Sequence, residues 1–209
     1  VVLHGFSLAP VARALGLASK EKQGLLIVGG SRFTTALGQA LVKAEVPVLV
    51  SDPNHAHLIR PRAAGLKTFY GDILGEAAED SVERIAYGTV LSATDNDAYN
   101  TLVATDLAPE IGRDAVWQMA RAKDDGPRHA LPAQLGGRPF GNGQNFEQFD
   151  KLMRTGWEFR ATRLSAEFTL DDWRNTHPDA VPILRIKPNG ALRFIRDRDA
   201  MKAETGARI

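Results

Sequence analysis

The residues with the plainest chemical potential follow a short apolar run: Leu25-Leu26-Ile27-Val28 leads into Gly29-Gly30-Ser31-Arg32-Phe33-Thr34. Laid against the phosphate-cradling pattern G-x-G-x-x-G, Gly29 takes the place of the first glycine, while Ser31 and Thr34 stand where the second and third belong. Both replacements are small. Their hydroxyls can donate to phosphate oxygens, and the amides that open a helix here favour an anion because the helix dipole backs them. Asp52 closes the next apolar run, 23 residues beyond Gly29, close to the separation of about 20 at which an acid accepts hydrogen bonds from a ribose diol. The competing reading is that Asp52-Pro53-Asn54 caps the following helix, a routine use of Asp and Asn. Gly71-Asp72 and Ala93-Thr94-Asp95 end two further runs, so they belong to the same rim.

Other chemistries find little support. The Tyr-x-x-x-Lys pair of short-chain reductases fails at every tyrosine, since Leu74, Leu91 and Val103 stand four residues after Tyr70, Tyr87 and Tyr99. His55-Ala56-His57 would place alternate residues on a helix, where they do not face one another, so no metal is expected. Ser31 is not on a Gly-x-Ser-x-Gly elbow, and no Walker-type lysine follows the glycines. The chain has no cysteine, which removes thiolate nucleophiles, disulfides and sulfur-ligated metals.

The elements that must hold these residues alternate in type. After the first strand, Ala36, Leu37, Ala40 and Leu41 mark one face of a helix, which stops before Pro47, and Val48-Leu49-Val50 is the next strand. Then come a helix near His55–Ala64, a strand near Lys67–Tyr70, a helix near Gly75–Ile85 and a strand at Thr89–Ala93. A helix at about Ala98–Ala108 and a strand at Ala115–Met119 complete the series. Strands and helices alternating at this spacing form βαβ units around a parallel sheet. From Lys123 to Asn145 the periodicity gives way to turn residues, and a boundary is placed there. Beyond it, Phe146, Phe149, Leu152 and Met153 mark a short helix, and Trp157–Leu164 alternates as a half-buried strand would. Pro188-Asn189-Gly190 separates two alternating runs, a hairpin signal. Trp157, Trp173 and Phe194 are expected in the core. Arg160, Arg163, Arg185, Arg193, Arg196 and Arg198 read as a solvated sheet face or a partner surface.

The 209 residues allow one large domain or a domain with a smaller companion. Twenty-six basic and 25 acidic side chains leave a formal charge of +1, which gives no bulk attraction to nucleic acid, so no nucleic-acid partner is expected. The opening, Val1 to Leu17, has no basic leader region or cleavage pattern and reads as the trailing turns of a longer apolar helix, or as an ordinary core helix. Ala18–Gly24 is a polar linker.

Four motifs in order carry a resemblance: Ile-Val-Gly-Gly-Ser-Arg-Phe, Val-Ser-Asp-Pro-Asn, Phe-Tyr-Gly-Asp-Ile-Leu and Leu-Ser-Ala-Thr-Asp-Asn-Asp-Ala-Tyr-Asn. From about Leu25 to Met119 the chain resembles the nucleotide-binding lobe of the RCK/KTN (Trk-type) domains that regulate potassium channels and cation transporters. The resemblance implies that Asp72, Ile73 and Thr94 join Gly29, Gly30, Ser31, Arg32, Phe33, Thr34 and Asp52 around a regulatory nucleotide. That ligand is NAD(H), or an adenine mononucleotide (AMP or ATP) given the missing glycines. The opening and the β-rich tail are similar to those of bacterial sodium-or-potassium/proton antiporters.

The expected fold class is therefore α/β, a doubly wound Rossmann-like parallel sheet followed by a small β-rich C-terminal unit. Residues 1–24 would be the end of a membrane helix and its linker, 25–122 the nucleotide-binding lobe, and 146–209 the β-rich unit. By resemblance the lobe is non-catalytic, pairs as a homodimer, and lies on the cytoplasmic face of the cell membrane, joined to the membrane transport domain of the same polypeptide. The fragment itself is expected to be soluble. The alternatives are a free-standing NAD-dependent oxidoreductase and a ligand-free dimerisation module.

Overall fold

The structure, a computed structural model, describes residues 24–81, 87–122, 135–198 and 201–209. The expected membrane-helix end and most of its linker lie outside these residues. Five strands form a parallel sheet in the order β3-β2-β1-β4-β5. They are β1 (Leu25–Val28), β2 (Val48–Asp52), β3 (Lys67–Tyr70), β4 (Thr89–Ser92) and β5 (Val116–Gln118). The helices between them are α1 (Arg32–Lys43), α2 (His55–Ala63), α3 (Glu76–Ser81) and α4 (Asp97–Ile111). The later part of the third expected helix, at 82–86, lies outside the described residues.

The central strand shows why the apolar runs are unbroken. All four residues of β1 are buried, and they alternate between two cores: Leu25 and Ile27 pack on one face, Leu26 and Val28 on the other. A strand covered on both faces has no solvent side to populate with polar residues. Phe33, Leu37, Leu41 and Leu58 from α1 and α2 cover the first face, and Val103, Ala104 and Leu107 of α4 cover the second. In register, Val28 lies opposite Ser51 on one side and Ser92 on the other. The strand order reverses between β1 and β4, so the turns that follow these two strands form the crevice at the switch point, where doubly wound sheets take their ligands.

The first face is completed by the tail. Residues 135–145 return along β5, with Arg138 in parallel pairing with Trp117, and Phe140 is wholly buried. Helices α5 (Phe146–Arg154) and α6 (Leu170–Thr176) follow, then the antiparallel hairpin of β6 (Leu184–Ile186) and β7 (Leu192–Phe194). Gly190, at φ 87°, closes the hairpin in the left-handed conformation that favours glycine. One apolar cluster runs from Leu25 and Ile27 through Phe33 and Phe140 to Phe149, Leu192 and Phe194.

Two expectations are corrected. Trp157–Leu164 is not a strand: its ladder partner is the short C-terminal end, where Thr162 exchanges hydrogen bonds with Ile209 and Leu164 bonds to Ala207 and Gly206. A single bridge, Arg163 with Arg208, results. Period-2 alternation specifies which way side chains face, but a strand also needs a neighbour of matching length. Trp157 is 41% exposed rather than core, whereas Trp173 and Phe194 are buried. Among the arginines, Arg198 is no free surface cation, since it donates to the carbonyls of Pro178, Ala180, Arg174 and His177 and lies over the Trp173 ring.

Candidate functional site

The turn after β1 is built by close backbone approach. Gly29 has φ 115°, and a Cβ on it would lie 2.6 Å from the Ala93 carbonyl oxygen. The turns after β1 and β4 therefore touch through main chain alone. At Gly30 a Cβ would lie 2.3 Å from the carbonyl oxygen of His57, so the first turn of α2 rests directly on this glycine.

Asp52 lies beneath that contact, 2% exposed. Its Oδ2 accepts from the Gly30 amide at 2.8 Å and is 3.1 Å from Nδ1 of His57, and its Oδ1 accepts from the Asn54 amide at 2.7 Å. The carboxylate thus ties the β1 turn to the β2 turn and to α2. It does not cap the helix. Asn54 does, accepting from the Ala56 amide at 3.0 Å. Of the about four acceptor positions a carboxylate offers, two are taken by main chain and one faces a histidine whose side chain is 43% exposed. His57 is the one partner that can swing away without unmaking the turn. His55 points elsewhere, to Arg62 and the Tyr70 ring.

Ser31 and Thr34 form a capping box on α1. The Ser31 Oγ accepts from the Thr34 amide at 3.1 Å, and the Thr34 Oγ1 accepts from the Ser31 amide at 2.8 Å. Their hydroxyls, expected on phosphate oxygens, are engaged with their own helix. The cap leaves the amides of Arg32 and Phe33 at the open end of the dipole, with the Arg32 side chain exposed beside them. The Phe33 ring turns inward, 4.2 Å from that of Phe149 and 5.4 Å from that of Phe159, so only its amide faces the turn.

On the far side of the crevice, Asn100 holds the β4 turn. It is wholly buried; its Oδ1 accepts from the Thr94 amide at 2.9 Å and the Thr94 hydroxyl at 2.7 Å, and its Nδ2 donates to the Thr94 carbonyl at 2.9 Å. Sequence reasoning passed over this residue; the signal was an Asn inside the first turn of a helix that Asn96 already caps, where a second amide side chain is seldom left without work. Asn100→Leu strips partners from the half-buried Thr94 amide, hydroxyl and carbonyl, and it is expected to cost about 2–4 kcal/mol in urea denaturation. Asp72 is exposed and accepts from the Tyr99 hydroxyl at 2.6 Å and the Leu74 amide at 3.0 Å. Burial, and then the bond to Asp72, push the Tyr99 hydroxyl well above the usual phenol range, so it remains a donor. The Ile73 side chain is buried in the second core.

Residues 25–136 match the TrkA-N domain. The chain belongs to the TrkA-N family. TrkA-N domains are nucleotide-binding regulatory domains of potassium transport systems, and NAD(H) is among the nucleotides they bind. No curated protein matches the chain. Among the described residues no helix is long and apolar enough to cross a membrane, and no group of three or more His, Asp or Glu could hold a metal ion.

At this TrkA-N turn the Arg32 and Phe33 amides are main-chain donors at a helix start, an arrangement that favours an anion. Beneath the crevice, the hydroxyls of Ser51 and Ser92, either side of Val28, are buried with no partner among the described residues.

Proposed function

We propose that this TrkA-N domain senses a nucleotide, NAD(H) or an adenine mononucleotide, for a sodium-or-potassium/proton antiporter whose membrane domain belongs to the same polypeptide. The observation that carries the reading is the buried Asp52 held under the glycine turn at the switch point, with one exposed and exchangeable partner, His57. The ligand's phosphate would rest on the amides of Arg32 and Phe33, with Gly29, Gly30, Ser31 and Thr34 shaping the turn and the Arg32 side chain adding charge. Its sugar would meet Asp52, and Asp72, Ile73 and Thr94 would border the base side.

In this reading the domain, residues 25–122 with the tail at 146–209, catalyses nothing. When a ribose hydroxyl replaces His57 on Asp52, the first turn of α2 loses its side-chain tie to the carboxylate under the β1 turn. A nucleotide that prefers the untied arrangement shifts the population towards it, and only that differential affinity can do regulatory work. The linker at 18–24 would pass the shift to the membrane domain, in a homodimer on the cytoplasmic face.

Calorimetric titration of the chain with NAD, NADH, AMP and ATP tests this. At least one is expected to bind at submillimolar concentration without turnover, and His57→Ala is expected to tighten that binding severalfold by removing the internal competitor. Absence of binding by all four at millimolar concentration would leave a dimerisation module, and turnover of a carbonyl or alcohol would mark an oxidoreductase.

A further inference from the structure

Arg185 and Arg193 stand directly opposite each other across the β6–β7 hairpin, both half-buried, in a chain whose charges otherwise nearly balance. Like charges directly opposed on neighbouring strands destabilise a sheet. The pair opens on a cleft of about 400 Å³ that also receives Arg138, Arg196 and Lys202, against two acids, Asp114 and Asp197. Asp114 is paired with Arg138, whose guanidinium lies 6.0 Å from the centre of the Trp117 ring. Arg185 donates to the Lys202 carbonyl, and among the described residues Arg193 makes a 3.4 Å contact with the Leu192 carbonyl. Trp117, in the wall, is buried, and its indole N–H has no acceptor among the described residues.

We propose that this cleft is a second binding site, for a small anion carrying two or more phosphate groups. Among the described residues its lining has three more cations than acids, which one diphosphate would neutralise. Four of those cations are arginines, whose flat forks match phosphate oxygens two at a time. Asp114 lies two residues before β5, so the cleft lies towards the amino end of that strand, while the glycine turn lies at the carboxyl ends. The two sites are separate. The position of this one, between β5 and the hairpin, would let an anion clamp the tail to the sheet edge.

The test is calorimetric titration of the 209-residue chain with inorganic pyrophosphate, in parallel with Arg185→Gln/Arg193→Gln and with Arg160→Gln, an exposed arginine outside both sites. Saturable binding is expected, weakened at least about tenfold in the hairpin variant through loss of charge-assisted hydrogen bonds, unchanged in Arg160→Gln, and falling with salt. Without pyrophosphate the hairpin variant should melt at or above the parent's temperature, since the opposed charges are gone; this also shows that it folds. No binding at millimolar pyrophosphate, binding undiminished in the hairpin variant, or binding of citrate but not pyrophosphate would each overturn the proposal.

Discussion

Asp52→Ala is expected to lower the unfolding free energy by about 3–5 kcal/mol, the largest effect of any single polar substitution near the glycine turn. The carboxylate is 2% exposed and accepts from two main-chain amides, those of Gly30 and Asn54. Removing it strips a charged acceptor from both amides, hydrogen bonds worth about 1.5–3 kcal/mol each to a charged group and least at the exposed Asn54, and His57 loses its partner as well. Against a total stability of about 5–15 kcal/mol, that is a large fraction. Asp52→Asn retains one acceptor oxygen and is expected to lose about half as much. Urea denaturation with an unchanged slope and a lowered midpoint would register both. A loss below about 1 kcal/mol for the alanine variant would mean that Asp52 does not strut the turn, and would return it to the simpler role of a ligand contact.

Phe140→Ala is expected to cost about 3–5 kcal/mol, the range for emptying a buried aromatic position. The side chain is wholly buried, with ring centres 5.4 Å from Phe149, 5.0 Å from Phe194 and 6.2 Å from Phe33. It joins α1, α5 and β7 at one point, so its loss should reach both the sheet and the tail. Trp117 and Trp173 report on these two regions in fluorescence, and their unfolding midpoints should fall together. If the Trp173 signal moved alone, the tail would be a separate folding unit and the shared core would carry little of the stability.

The parallel sheet was legible because its signal is local. Leu25–Val28 has to be apolar throughout to be covered on both faces, and the helices between strands announce themselves by spacing. Gly29 was legible for a related reason, since a backbone at φ 115° in contact with another turn leaves no room for any side chain. Trp157–Leu164 misled because alternation says nothing about the length of the neighbouring chain. Phe140, set among Gly and Pro in a stretch without periodicity, gave no sign that it would be buried at a junction of three elements. The 23-residue spacing from Gly29 to Asp52 brought the acid to the turn, but not the direction of its oxygens.

By itself, then, the sequence determined the order of strands and helices, and with it the family's sheet and the place of the glycine turn, because periodicity and backbone permissiveness are properties of neighbouring residues. Only the tertiary structure decided that Asp52 turns inward to Gly30, Asn54 and His57, that Asn100 grips Thr94, and that arginines from β6, β7 and residue 138 meet in one cleft. Those outcomes depend on which distant segments pack together, and a carboxylate, an amide or a guanidinium takes the partner that folding brings within about 3 Å.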